Sequence, residues 1–227
     1  MATYCISDIH GCYDEFMALL DKIKFDPAAD TIYILGDVID RGSQPLKCLQ
    51  FVKKTNKIHL IMGNHEQMML DYYDQMETWN WRSNGGGRMR ALLNDFRRSG
   101  YEVEADALLS YVRSRPYFKT LKVGETRYFL SHSGLSPATP FSHQCPGDLL
   151  WSRAEFYEEP ALKTHTCILG HTPTPYLHND HNNFDVWLDP RYKDKIGIDG
   201  GCVFGGRLNA LRLDDHAVFY VTLSTNY

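Results

Sequence analysis

No apolar run in this 227-residue sequence approaches the roughly 20 residues that cross a bilayer, so no spanning helix is expected. The opening segment MATYCISDIHGC has no basic stretch followed by an apolar one, which speaks against a secretory signal. A C-x-x-C pair is missing as well. The six cysteines, Cys5, Cys12, Cys48, Cys145, Cys167 and Cys202, are scattered and read as reduced thiols in a cytoplasmic protein. Excess charge is scarce: a formal balance of −4 gives no general attraction for nucleic acid, although arginines cluster locally. Repeats and low-complexity linkers are absent, and nothing in the sequence sets an oligomeric state.

What is present is a globular composition, 43% hydrophobic, with length for a substantial core in one large domain or a domain with an insert. Short apolar runs end in polar clusters: ATYCIS leads into Asp8 and His10, TIYILG into Asp37, and KIHLIMG into Asn64. Helical patterns near 13–24 and 44–54 lie between them, giving a β-α-β-α-β series and hence a parallel sheet. A helix is expected from 66 to about 77. Residues 78–116 read as a helical insert or cap that opens with a loop, TWNWRSNGGGRMR, and closes at Pro116. Its arginines, 82, 88, 90, 97, 98, 113 and 115, read as a solvated face. Beyond it, YFKTLKVGETRYFLSHSG predicts a hairpin turning near Gly124 whose second strand ends at His132. TCILGHT is a further run, ending in His171, and the tail alternates around a turn at Asp214–Asp215, as an antiparallel hairpin does. Residues 174–194 read as a long surface loop.

Taken singly, an Asp after a strand is a turn former or helix cap, and a lone His is a surface or core residue. Six such groups, Asp8, His10, Asp37, Asn64, His132 and His171, all just past apolar runs, are not explained that way. Oxygen and imidazole donors without cysteine suit hard-to-borderline divalent ions such as manganese, iron or zinc. A carboxylate can bridge two ions roughly 3.5–4 Å apart.

The ordered motifs DIHG, GDVIDRG, GNHE, SHSGL and GHT resemble the phosphoprotein phosphatase family of calcineurin-like metallophosphoesterases. GNHEQMM, the W-x-x-N-G-G-G from Trp81 to Gly87, GHTP and IDGGCVFGG are similar to its small bacterial and phage branch, typified by the bacteriophage lambda Ser/Thr protein phosphatase. The resemblance runs from residue 3 to about 213 and is weakest across the insert, 133–147 and 174–194.

The resemblance implies an α/β fold, a two-sheet β-sandwich flanked by helices, forming a single metallophosphatase catalytic domain over 1–227. It also implies two divalent ions, manganese foremost. Asp8 and His10 would hold the first, Asn64, His132 and His171 the second, and Asp37 both. Arg41 and Arg153 would bind phosphate beside Asn64. His65, hydrogen-bonded to Asp40, would be the general acid. Glu66 is expected to cap the following helix rather than to act in catalysis. Asn84 and Gly85–Gly87 are candidates for the mouth of the site, and Asp199 and Gly200 for a supporting turn beneath it. His59 reads as structural and the remaining histidines as exposed.

The expected activity is hydrolysis of a phosphorylated protein or peptide, or of a small phosphate ester. Asp40 together with Glu rather than Asp after His65 favours the protein-phosphatase side over a symmetrical dinucleoside tetraphosphatase. A nucleic-acid phosphodiesterase is less favoured, because an arginine after Asp40 suits a terminal phosphate. A non-catalytic scaffold on the same fold would be expected to lack a ligand or His65, and none is lacking.

Overall fold

The computed structural model describes residues 1–76 and 79–223. Residue 78, where the insert was expected to start, and residues 224–227 lie outside the described residues. Strands β1 (Thr3–Ile6), β2 (Thr31–Ile34) and β3 (Ile58–Leu60) alternate with helices α1 (Tyr13–Lys22) and α2 (Pro45–Lys54) and pair in parallel. The C-terminal hairpin, β9 (Arg207–Arg212) and β10 (Val218–Thr222), adds antiparallel to β1, giving the order β10-β9-β1-β2-β3. A second five-stranded sheet has the order β4-β5-β6-β8-β7, built from β4 (Phe118–Val123), β5 (Thr126–Ser131), β6 (Thr166–Leu169), β7 (Trp187–Leu188) and β8 (Lys195–Gly197). Its central strands β5, β6 and β8 are parallel.

Strand alternation assigns each side chain to a layer. Cys5 of β1 meets Tyr128, Leu130 and Ile168 in the core between the sheets, whereas Tyr4 and Ile6 face the helices. Phe129, Cys167 and Leu169 point to the other side of the second sheet, toward Leu149 of α7 (Pro146–Trp151) and Phe156 of α8 (Ala154–Glu158). Burial on both faces is why these strands read as unbroken apolar runs.

The structure departs from the sequence expectations in three places. Helix α3 spans Asn64–Tyr73, so it starts at the candidate ligand itself. The expected loop after residue 78 is helical: a short turn α4 (Trp79–Trp81) and a π-turn (Arg82–Gly86) run into α5 (Gly87–Arg98), followed by α6 (Glu102–Arg113). Met89, Leu93, Leu108 and Val112 bury into the same core as α1 and α2, so the helices of the insert form part of the helical layer. Finally, 174–194 is more than a surface loop. It holds α9 (Thr174–His178), β7 and the buried Asp189, which meets the buried Lys195 ammonium at 3.0 Å.

Candidate metal centre

The carboxyl ends of β1, β2, β3, β5 and β6 deliver Asp8, Asp37, Asn64, His132 and His171 to one place, with His10 following Asp8. All six are buried. Asp37 is central: its Oδ2 lies 3.3 Å from His10 Nε2, and its Oδ1 lies 3.5 Å from His132 Nε2. The two oxygens of one carboxylate thus face two separate imidazoles.

Tautomers follow from the backbone. His10 Nδ1 lies 2.9 Å from the Ile39 carbonyl and His132 Nδ1 lies 2.7 Å from the Leu35 carbonyl. A carbonyl only accepts, so both Nδ1 atoms carry the proton, and Nε2 of each ring is the nitrogen that would offer its lone pair to a cation once that nitrogen is deprotonated. His132 Nε2 then meets the Asn64 Oδ1 acceptor at 2.8 Å and lies 3.1 Å from His171 Nδ1. Rotating the Asn64 amide would let its N–H groups donate to His132 and Asp37; a cation reconciles the same atoms with the amide oxygen left inward. Asp8, Asp37 and His132 form one triad of candidate ligand atoms within 4.8 Å of one another, and His10, Asp37 and His65 form another. The donor chemistry therefore fits divalent cations, with Asp37 common to both triads, although the triads group Asp8 with His132 and bring in His65 beside His10, unlike the expected pairs.

The backbone is forced to make this arrangement. Asp8, His10, Asp37, Asp40, Arg41 and His171 all have φ between 44° and 72°, the left-handed region that costs a non-glycine residue of order 1–3 kcal/mol. Such strain persists only where the surroundings over-determine it. Glu66 supplies much of the restraint around Asp37. Its carboxylate accepts the N–H groups of Asp37 at 2.7 Å, Val38 at 2.9 Å and Gly63 at 3.1 Å. Glu66 does close the first turn of α3, as expected, but it also clamps the Asp37 loop. Gly63 has to be glycine here, since a Cβ would sit 2.3 Å from Asp37 Oδ1.

Charge crowding shows in the acidities. Burial and the neighbouring Asp37 charge push Asp8 up to about 7. Burial alone would raise Asp37 too, yet His132, His65 and His10 hold it well below the carboxylate range. Burial opposes a charge on His10, but the Asp37 contact overcomes it and raises His10 to about 9. His171 is pressed down to about 2 by burial and by His132. His65 is lowered by burial against the pull of Asp37 and Asp40.

His65 Nδ1 lies 2.6 Å from Asp40 Oδ2, while its Nε2 is buried with no hydrogen-bond partner among the described residues. The Arg41 guanidinium contacts His10 Nε2, the lone pair a cation would use. Arg41 and Arg153 both line a cavity of about 610 Å³ that includes His171, Tyr157, Asp199 and Phe204. Asp199 is buried, accepts the Gly201 N–H at 2.8 Å, and is pushed up to about 8 by burial and the Asp8 charge. Gly85 stacks near Arg41, its carbonyl accepting the Arg41 N–H at 3.4 Å. Asn84 instead donates to Asn80.

Two participants escaped the sequence reading. The sequence marks Glu66 only as a helix cap, although the Asp37 loop it holds lies 29 residues away. Trp81 donates its indole N–H to Asp40 Oδ2 at 2.7 Å; the W-x-x-N-G-G-G pattern was the available signal. Among the described residues no helix is long and apolar enough to cross a membrane.

A model of the calcineurin-like phosphoesterase family matches residues 1–206. Symmetrical bis(5'-nucleosyl)-tetraphosphatases are similar in sequence: that of Klebsiella pneumoniae (strain 342) is 32% identical over 152 residues, covering 66% of this chain and 49% of its own. The protein of the same name from Escherichia coli O1:K1 / APEC is 35% identical over 138 residues, covering 60% and 44%. The chain thus spans about half the length of the curated relatives it matches. Among solved structures, a candidate diadenosine tetraphosphatase superposes with a TM-score of 0.71 at 18% identity, covering 99% of this chain and 95% of that one. A serine/threonine phosphatase from Saccharomyces cerevisiae gives 0.63 at 16% identity, covering 100% and 81%. At those identities the two structures show the fold alone, a two-sheet α/β arrangement flanked by helices.

Proposed function

The chain belongs to the calcineurin-like phosphoesterase family, and from that premise we propose that it is a dinuclear-metal hydrolase of dinucleoside polyphosphates, cleaving a phosphoanhydride. The observation that carries the phosphoesterase chemistry is Asp37, whose two oxygens face His10 and His132 separately. What supports the substrate class is the sequence similarity to symmetrical tetraphosphatases, which includes two relatives at 32% and 35% identity. This departs from the protein-phosphatase reading that the motifs favour; the likeness to a protein phosphatase structure concerns the fold.

On this reading Asp8, His10 and Asp37 would hold one ion, and Asp37, Asn64, His132 and His171 the other. When bound, two such ions supply an activated water and neutralise phosphoryl charge. Arg41 and Arg153 grip the remaining phosphoryl oxygens, for which a planar, permanently charged fork is well suited. His65 delivers a proton from Nε2 to the leaving oxygen, its ring set by the Asp40 contact at Nδ1. Burial of the whole cluster keeps competing water out and strengthens each charge interaction.

One observation favours a second reading. A polyphosphate leaves readily as an anion, whereas an alkoxide needs a proton, and the His65–Asp40 pair is built for that need. A phosphomonoester, including phosphoserine or phosphothreonine in a peptide, would use it more fully. Turnover of diadenosine tetraphosphate against a phosphopeptide, each with manganese, iron and zinc, separates the two. Preference for the dinucleotide, with two equal nucleotide products, supports the proposal; turnover of the peptide alone overturns it.

A further inference from the structure

The cavity beside the candidate metal centre has an aromatic side that phosphate chemistry leaves unused. Besides Arg41, Arg153 and His171, its lining includes Tyr157, Tyr176 and Phe204. Phe204 is 67% exposed and Tyr176 68% exposed, although most large apolar side chains in the chain are buried. Leaving a phenyl ring in water forgoes the stabilisation that burial gives it. An exposed ring on a mobile loop would need no explanation; Phe204 is not on one.

Phe204 ends a single 3₁₀ turn, Cys202–Phe204, between β8 and β9. Cys202 is buried and anchors the turn in the core. Gly201 and Gly205, at φ 64° and 89°, make the sharp entry and exit that a side chain would disfavour. Backbone bonds close the turn: Phe204 N–H to Gly201 carbonyl at 2.9 Å, Gly206 N–H to the same carbonyl at 3.1 Å, and Arg207 N–H to Gly200 carbonyl at 2.8 Å. The ring is therefore held out by a fixed scaffold, which lowers the ordering cost of anything that binds against it. The Arg41 guanidinium lies 5.2 Å from the ring centroid, a cation–π distance.

We propose that Phe204 is a stacking platform for the nucleobase of a bound nucleotide, next to the arginine that takes its phosphate. This rests on the nucleotide reading given above and names the part of the site that would read the nucleoside. An aromatic face beside a guanidinium matches a nucleotide's own layout, a flat base and an anionic phosphate joined by one ribose. Ring stacking accepts any base, so the platform favours nucleotides over simple phosphates without selecting one base strongly. A phosphopeptide has no flat ring at the corresponding place unless the residue is aromatic.

The test is calorimetric binding to the manganese-loaded protein of two non-hydrolysable anions with the same ionisable oxygens, one esterified with a nucleoside and one with methyl: adenosine 5′-(α,β-methylene)diphosphate and monomethyl methylenediphosphonate. The adenosine compound is expected to bind about tenfold more tightly, within the range of one base–aromatic stack. In Phe204→Ala and Phe204→Leu this ratio should collapse toward one, and in Phe204→Trp it should persist. Using a ratio within each variant cancels any general change in anion affinity, and the leucine variant keeps apolar bulk if the alanine variant folds poorly. Equal affinity of the two anions in the wild-type protein, or a ratio that survives in the leucine variant, overturns the proposal. Failure of the dinucleotide reading is distinguishable: diadenosine tetraphosphate would stay intact while the affinity ratio persisted.

Discussion

Trp81 donates its indole N–H to Asp40 Oδ2 at 2.7 Å, the same oxygen that lies 2.6 Å from His65 Nδ1. Trp81 and Asp40 are both fully buried. The tryptophan thereby fixes the carboxylate that fixes the proposed proton donor. Trp81→Phe keeps most of the ring and removes the N–H. A hydrogen bond to a charged group contributes roughly 1.5–3 kcal/mol, so a kcat loss of about tenfold is expected on alkyl phosphates, with a smaller loss on aryl phosphates. The variant should still retain its metal, as measured by mass spectrometry of the purified protein. Equal losses on both ester types would assign Trp81 a packing role alone.

His65→Asn tests the acid itself. Alkyl ester hydrolysis should fall by about 10²–10⁴-fold, the usual worth of a positioned acid. Aryl esters with acidic leaving groups need less protonation and should suffer less. A kcat comparison across a leaving-group series checks this, and a uniform loss would contradict a proton-donor role.

Glu66→Gln should weaken the Asp37 loop. The carboxylate receives N–H donors on both oxygens, from Asp37 and Gly63 on one and from Val38 on the other. An amide must turn its own N–H₂ toward one of those donors, which costs about 1–3 kcal/mol as an unsatisfied buried group. Urea unfolding should show that loss, and metal content should fall with it. Unchanged stability would mean that the strained Asp37 backbone is restrained elsewhere.

Asp199 gives a pH prediction for protein stripped of metal by a chelator. Burial and the Asp8 charge raise its folded-state acidity constant to about 8, above the ordinary 3.8. Between those values the folded state holds a proton that the unfolded state has lost, so stability declines as pH rises from about 4 toward 8. Asp199→Asn keeps an oxygen for the Gly201 N–H and removes the titration. The stability decline measured by urea unfolding between pH 4.5 and 8 should therefore be shallower in the variant, by up to about 1.4 kcal/mol per pH unit. A parallel decline in both proteins would contradict the assignment.

The sequence discloses the parts of this site that sit at the ends of elements. Asp8, Asp37, Asn64, His132 and His171 are visible because each interrupts an apolar run, and a parallel sheet gathers run ends at one edge. It discloses poorly whatever depends on contacts distant in the chain. Trp81 reaches Asp40 across 41 positions, and only the W-x-x-N-G-G-G pattern, not any local periodicity, marks the tryptophan as more than core. The glycines at 85–87 read as part of a loop, yet Gly85 sits at φ 100° inside a helical segment and Gly87 opens α5. The run 174–194 looked like a loop because its helix and strand are short, and because the Asp189–Lys195 pair that buries it is legible only in three dimensions. The left-handed backbone at Asp8, His10 and Asp37 carries only a weak residue-type signal, since Asp and His are merely enriched in that region.

The proposed chemistry rests on Asp37 being shared between two cations. Metal content of protein purified with manganese, measured by mass spectrometry, tests it most directly on the wild type, Asp37→Ala and His65→Asn. About two ions per chain are expected in the wild type and in His65→Asn, and fewer than one in Asp37→Ala. Two ions retained by a folded Asp37→Ala protein would contradict it.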